Sequence, residues 1–519
     1  MILGQTFPYL RQKHVLTRAD ESSVEVIYHD MIEASLEHQT LDGVHFFLDD
    51  SNCAQPAIDE LRGRFGEARV VVNPLIEFPA MACRQKYVVG VRPRMIDTFA
   101  RIRERETNTP YPLFTIAEFT AGPSCFLRLL SALLFAQPYD AMVTTSLAAQ
   151  RVLESSLDAA RDYLRSRLQT EVVGGPRTAS IPPGVNESFL QPKDRRFCRK
   201  LLALPEDAVI LLHLTSTRPG QRLDIELLLR VVTELTQRHP DLLLVAAGRG
   251  VNNVTDLAAG LGLGSKLRVI SDFPFELKPF IYSAADVFVS LSNSIQQTNS
   301  LTILEAMACS LPVIAANWGP SRELVIDGET GFLIPTLWDD DAARHASGMM
   351  PVQAGFVEDY LAAHTPINVG ALFTAIENLA RNEGLRLELG ARARKRVVER
   401  YAWRIICRHF QALWEDQWRM LRASRGRYTQ IRVPDLDVAF RHFASGIIDH
   451  SFQVRKGTAD VSLDSGARRI PAWLRPEVAR CLLDLAAQPL SVRELASTAP
   501  DISPQTLAWL LKKGLLEFA

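Results

Sequence analysis

The 519-residue sequence predicts an α/β fold: two successive parallel-sheet units, then a small mixed unit at the C-terminal end. Three observations carry this expectation. Short apolar runs alternate with amphipathic segments through most of the chain, a proline-rich break interrupts them near residue 180, and the pattern turns helical after Gly370. A chain of this length also exceeds what one core can hold, and usual domain sizes suggest about three units.

In the first 190 residues, Gly43 to Leu48, Ala68 to Val72, Tyr87 to Val91 and Ala141 to Thr145 read as strands between helices. The run Thr178 to Pro192, with three prolines and a glycine, reads as a strand leaving the first unit and a linker entering the second. Residues 207–213, 241–247, 267–270, 286–292, 311–316 and 331–334 then give buried-strand signals, with helices such as Asp224 to Gln237 between them. Strands that are apolar almost throughout need cover on both faces, so the second unit is expected to be doubly wound. Helices follow over Ala371 to Glu399, with a break near Gly384, and over Trp403 to Arg422, aromatic at helical spacing. From about 425 onward a hairpin (Phe452 to Val454 and Ala459 to Leu463) and three helices (Ala472 to Ala487, Val492 to Thr498, Pro504 to Lys513) suggest a winged-helix-like α+β extension.

A net charge of −1 gives no support to a polyanion partner, and Arg468, Arg469, Lys512 and Lys513 are too few for a basic DNA-binding face. No nucleic-acid partner is expected. Seven scattered cysteines, an odd number with no close pair, fit a reducing compartment without structural zinc. The most apolar stretch, Phe126 to Phe135, is interrupted by Arg128 and is too short to cross a bilayer. With no signal peptide recognised, a cytoplasmic location is expected, and peripheral membrane contact stays open.

The segment Ser300 to Gly319 is the most informative. Leu301, Leu304, Met307 and Ala308 recur at helical spacing, and Leu311 to Ala316 reads as a buried strand. Glu305 is then an acid inside an apolar helix, where it should either face water or hold a polar ligand. The preceding Ser294 to Ser300 is small and polar, leaving the helix N-terminus able to offer free amides to an anion such as a diphosphate.

Six motifs in order resemble the retaining glycosyltransferases of family 4, which have the GT-B fold. Ser180 to Val185 is similar to the "I-P-N-G-V" element, Ala246 to Gly250 to a glycine turn, and Tyr282 to Val289 to "Y-x-x-A-D-x-F-V". Glu305-Ala306-Met307-Ala308 matches the second half of the Glu-x7-Glu segment, Asp327 to Pro335 matches "D-G-x-T-G-F-L-V", and Tyr401-Ala402-Trp403 resembles "Y-S-W". The likeness covers about residues 178 to 420; the first third matches loosely, and the last 95 residues lie beyond the usual end of the family. It implies two Rossmann-like domains facing a cleft, 1–190 for the acceptor and 191–400 for the donor. Residues 401–424 would form a helix crossing back to the first domain, and 425–519 the extension.

The resemblance also implies chemistry. Glu305 would accept hydrogen bonds from ribose hydroxyls, and the backbone amides of Leu301 and Thr302 would hold diphosphate oxygens, with Ser300, Asn299 and Gly248 alongside. The family's Arg and Lys positions fall on Ser216 and Gln221, neither basic. Arg218 and Arg222, in the same loop, are therefore the candidates for charge on the leaving diphosphate, with solvated surface as the alternative. Gln297 stands where the family has its first glutamate, which contacts the donor sugar, and Gln296 could share that contact. Glu118 is the acceptor-side candidate, with a solvated loop acid as its alternative. Retention with the leaving phosphate assisting deprotonation requires no protein nucleophile. No cofactor and no metal are expected, and a metal reading of Asp49-Asp50 and of Asp339 to Asp341 is rejected.

The expected activity is therefore hexosyl transfer from a nucleotide diphosphosugar, a UDP-sugar before others, to a glycan, lipid-linked sugar, small molecule or peptide. Loss of the first glutamate and of both basic positions motivates a different class of reading, a degenerate member serving as a binding or scaffold subunit. A third reading gives the extension a peptide or protein acceptor to recognise, against a plain packing role, which is the expected one.

Overall fold

Runs of Val, Ile, Leu and Ala set up two open sheets. In the first, β1 (Ile2–Gln5), β2 (Gly43–Leu48), β3 (Val70–Pro74), β4 (Tyr87–Gly90), β5 (Leu113–Ile116), β6 (Ala141–Thr144) and β7 (Arg177–Ser180) lie in the order β3-β2-β1-β4-β5-β6-β7. The second contains β8 (Val209–Ser216), β9 (Leu242–Arg249), β10 (Leu267–Ser271), β11 (Val287–Ser290), β12 (Val313–Ala316) and β13 (Gly331–Ile334), in the order β10-β9-β8-β11-β12-β13. Every neighbouring pair of the second sheet is parallel. The computed structural model describes the chain except residues 7–22, 49–54, 83–86, 93–94, 107–109, 118–122, 170–173, 217–224, 250–251, 350–353, 425–447, 449, 459–474 and 499–502.

Strand periodicity builds the core of the second sheet. Ile210, Leu212, Leu243, Val245, Phe288, Val313 and Ala315 enter one buried cluster, while Leu211, Leu242, Leu244, Val287, Val289 and Ile314 enter another. Alternate residues thus cover opposite faces, as a two-residue repeat requires.

Buried aspartates anchor strand entries in both sheets. Asp140, just before β6, accepts from the Leu113 amide (2.9 Å) and pairs with buried Arg103 through both oxygens (2.7 and 2.8 Å). Asp286, just before β11, accepts from the Ile210 amide (2.7 Å) and from Arg199 (2.6 Å) and Arg195 (2.7 Å). The aspartate of the "Y-x-x-A-D" motif therefore holds strands together, since a buried charge is tolerable only when paired.

The Trp403–Ala423 helix returns to the first sheet. Gln417 donates to the carbonyls of Leu113 (2.7 Å) and Tyr139 (2.9 Å), Phe114 packs on Phe410 and Trp414, and Arg177 pairs with Asp416. Here the Val185 amide donates to the Tyr401 carbonyl and the Trp403 amide to the Val185 carbonyl, and a Cβ on Gly184 would collide with the Trp403 ring. Only glycine fits beneath that indole, which ties the "I-P-N-G-V" element physically to "Y-S-W".

Two strands differ from expectation by their presence. Ile2–Gln5 and Leu113–Ile116 are four residues each, too short to show a period of their own. The helix break expected near Gly384 lies at Asn382, where the Asn382 side chain accepts from the Leu385 amide and starts a new helix.

Contacts divide the chain into two compact units, one of Met1–Phe46, Cys53–Val72 and Pro79–Arg427, the other of Phe47–Asn52, Asn73–Phe78 and Tyr428–Ala519. Within the second, β14 (Gln453–Lys456) pairs antiparallel with β15 (Leu490–Ser491) and β16 (Leu516–Phe518). The helices Pro476–Leu485, Val492–Thr498 and Pro504–Lys512 accompany them around Val454, Ala479, Leu482, Leu495 and Leu510. The expected hairpin arm Ala459 to Leu463 lies outside the described residues.

Candidate functional site

Strand order reverses between β8 and β11, and open α/β sheets bind ligands outside the carboxyl ends of their strands at such a point. β8 ends at Ser216 and leads into residues 217–224, so Arg218 and Arg222, like Gln221, lie outside the described residues. Beside it, β9 carries Gly248 at φ +122°, a backbone state that favours glycine. β11 leads through Leu291 to Ser300 into the Leu301–Ala308 helix.

That helix starts open. Ser300 sits at the N-cap position but makes no side-chain cap; its hydroxyl instead accepts from Gln297 Nε2 at 2.8 Å. The amides of Ile303 and Leu304 turn back to the Ser300 carbonyl (3.1 and 3.3 Å). Among the described residues no protein acceptor takes the N–H of Leu301 or Thr302, so both are available to an anion, aided by the helix dipole. Nearby, Gln297 Oε1 is buried with no hydrogen-bond partner among the described residues. Such an orphaned amide oxygen is costly unless a ligand donor meets it. Asn299 is half-buried in the same loop.

Glu305 neither faces water nor waits empty. It is buried, with Lys278 Nζ 2.7 Å from Oε1 and Tyr282 OH donating to Oε2 at 2.7 Å. Its helix turns this face toward the Lys278–Ala284 helix rather than outward, which the apolar spacing alone did not reveal. Burial and the neighbouring Glu305 hold the Tyr282 phenol well above its usual pKa, so it keeps the proton it donates. Burial, helped by Glu305, also pushes the Cys309 thiol up to about 12, leaving it an inert core residue.

The first sheet reaches this loop directly. Thr145 and Ser146, following β6, donate to the Thr298 carbonyl at 2.7 and 2.9 Å. In return Glu323 of the second domain accepts from the amides of Leu147 (2.9 Å) and Ala148 (2.8 Å) at the start of the Leu147–Leu168 helix. The carboxyl edges of the two sheets therefore face each other, with Thr298, next to Gln297, pinned between them.

Of the remaining sequence candidates, Glu118 and the pair Asp49-Asp50 lie outside the described residues. Asp339 accepts from the amides of Asp341 and Ala342 and so caps the Asp340–Met349 helix. Lys278, Thr145, Ser146, Thr298 and Glu323 were not singled out from sequence. The last follows Ser321-Arg322 after a strand, a pattern with no charge run or spacing to mark it.

Two doubly wound sheets facing each other at their carboxyl edges, with a C-terminal helix returning to the first, make this a GT-B protein. Residues 194–350 match the family described as "Glycosyl transferases group 1". Solved structures of like fold include a glycosyltransferase from Rickettsia africae (16% identity, TM-score 0.56, covering 80% of this chain and 98% of that one). Another is Anabaena Alr3699/HepE in complex with UDP (14%, TM-score 0.54, covering 80% and 99%). Among curated relatives, D-inositol 3-phosphate glycosyltransferases from Geodermatophilus obscurus and Stackebrandtia nassauensis are 35% and 30% identical, over 34% and 43% of this chain. The matches span 40% and 48% of those relatives' own lengths. Among the described residues no helix is long and apolar enough to cross a membrane.

Proposed function

We propose that the protein is a retaining glycosyltransferase that moves a hexose from a nucleoside diphosphosugar to an acceptor held between the two facing domains. The observation that carries this reading is the open start of the Leu301–Ala308 helix at the β8/β11 switch point, with Glu305 one turn further along. Two amides with no acceptor among the described residues, together with a helix dipole, suit a diphosphate, and a carboxylate suits the hydroxyls of a ribose. Residues 191–400 would hold the donor, 1–190 the acceptor, and 401–424 the link between them. Gln297, with its unpartnered oxygen, would take a sugar hydroxyl, and Ser300, Asn299 and Gly248 would line the same edge.

Arg218 and Arg222 are proposed to neutralise the departing diphosphate, a role suited to guanidinium because it pairs with phosphate in two parallel hydrogen bonds. Electrostatic stabilisation of the leaving group is then the main catalytic contribution, with its phosphate taking the acceptor proton. Uridine is the favoured base, supported by the UDP bound to HepE, a protein of like fold. No resident cofactor is invoked.

A donor screen with UDP-, GDP- and ADP-sugars, read by mass spectrometry of the released nucleotide, tests the reading. Release from one donor class, abolished in Glu305→Ala, is expected. Binding of a nucleotide sugar with no turnover, with or without added glycan and peptide acceptors, would favour the scaffold reading instead.

A further inference from the structure

The two donors on Glu305 do more than bury a charge. A carboxylate offers about four lone-pair sites, two on each oxygen. Here each oxygen takes one protein donor, Lys278 Nζ on Oε1 and Tyr282 OH on Oε2, both at 2.7 Å. Among the described residues no further donor reaches either oxygen, which leaves one acceptor site on each. Two adjacent oxygens with one free site apiece match two adjacent hydroxyls, as on the 2′ and 3′ carbons of a ribose.

The donors are themselves held. Tyr282 is fully buried and its hydroxyl also lies 3.4 Å from the Thr302 carbonyl, tying it to the first turn of the Leu301–Ala308 helix. Lys278 starts the Lys278–Ala284 helix, and its ammonium lies 5.4 Å from the centre of the Phe275 ring, which stacks on Phe189 at 4.8 Å. Its side chain is one-fifth exposed and that of Glu305 one-tenth, so the pair lies at the rim of the core.

We propose that Lys278 and Tyr282 are positioning residues that fix the Glu305 carboxylate to accept a vicinal diol, and thereby select ribonucleotides over 2′-deoxyribonucleotides. The inference rests on the reading of Glu305 as the ribose acceptor. Without Lys278 the carboxylate would lose the donor that fixes Oε1 and could rotate to find water, a motion that costs the second hydroxyl contact most.

The test is calorimetric titration of the full chain with UDP, GDP and ADP and with their 2′-deoxy counterparts, on the wild type and on Lys278→Met, Lys278→Arg, Tyr282→Phe and Glu305→Gln. Thermal melts confirm that each variant is folded. The wild type is expected to prefer the ribonucleotide about tenfold, as loss of one hydrogen bond to a charged group implies. Lys278→Met should bring that ratio to near one, and Lys278→Arg, which can still reach the carboxylate, should restore it in part. Tyr282→Phe gives an independent reading on the other oxygen and should also lower the ratio. A wild-type ratio kept in folded Lys278→Met and Tyr282→Phe, but lost in Glu305→Gln, overturns this inference alone. A wild-type ratio of one, full affinity in Glu305→Gln, or no binding of any diphosphate overturns the ribose reading itself.

Discussion

Two helices begin where the facing sheets meet, and their N-termini are satisfied in opposite ways. At the start of Leu147–Leu168, Ser146 caps the Ala149 amide and the Glu323 carboxylate takes the Leu147 and Ala148 amides. At the start of Leu301–Ala308, the Ser300 hydroxyl accepts from Gln297 Nε2 and no protein group among the described residues takes the Leu301 and Thr302 amides. Both ends attract anions for the same reason, the unsatisfied N–H groups and the dipole behind them. One is closed by a carboxylate of the protein; the other meets no acceptor among the described residues and is the end proposed to receive a ligand. The first helix thus demonstrates inside this molecule the contact that the second is proposed to make with a diphosphate.

The comparison can be broken from the ligand side first. Replacing Glu305 by Gln keeps the shape but removes the charge that strengthens its hydrogen bonds, so nucleoside diphosphate affinity should fall about 10- to 100-fold by calorimetry. Unchanged affinity would detach Glu305 from the site. Next, Ser300→Asp would close the second helix as Glu323 closes the first. The expected outcome is affinity for UDP lowered about tenfold, through competition and repulsion, together with a slightly raised melting temperature from the added cap, on the order of 1 kcal/mol.

The reverse change, Glu323→Gln, would reopen the first helix. It should cost about 1 kcal/mol, a melting shift of roughly 1–2 °C for a chain this long, and should lower transfer activity more than stability if the latch onto the first domain matters. The smallest effect concerns the strands beneath the site. His213 Nδ1 lies 3.0 Å from the Val289 carbonyl and joins β8 to β11, and burial lowers its pKa. The unfolded chain then binds a proton near pH 6.5 that the folded one does not, so stability should decline as pH drops below that point. His213→Gln should make the decline shallower, as read from urea midpoints at pH 5 and pH 7.

How legible these two regions were differs as much as their occupancy. The second sheet was readable because long apolar strands alternate faces into two buried clusters, and its helix carried a conspicuous acid among Ile303, Leu304 and Met307. What sequence could not give was the direction of that acid. Lys278, 27 residues before Glu305, becomes its partner only once the Lys278–Ala284 and Leu301–Ala308 helices pack together. The first sheet was harder: Ile2–Gln5 and Leu113–Ile116 are too short to announce a period, and buried Arg103, which pairs with Asp140, looks like any surface arginine in the string RIRER. The latch across the domains was invisible for the same reason, since Thr145, Ser146 and Glu323 are ordinary residues whose partners lie more than a hundred positions away.

The most direct test of the open helix end is to titrate the wild-type chain with UDP and with uridine side by side. If the Leu301 and Thr302 amides donate to a diphosphate, UDP should bind at least about tenfold more tightly than the nucleoside, as hydrogen bonds to charged acceptors imply. Equal affinity for UDP and uridine, or no binding of UDP at all, would contradict the account.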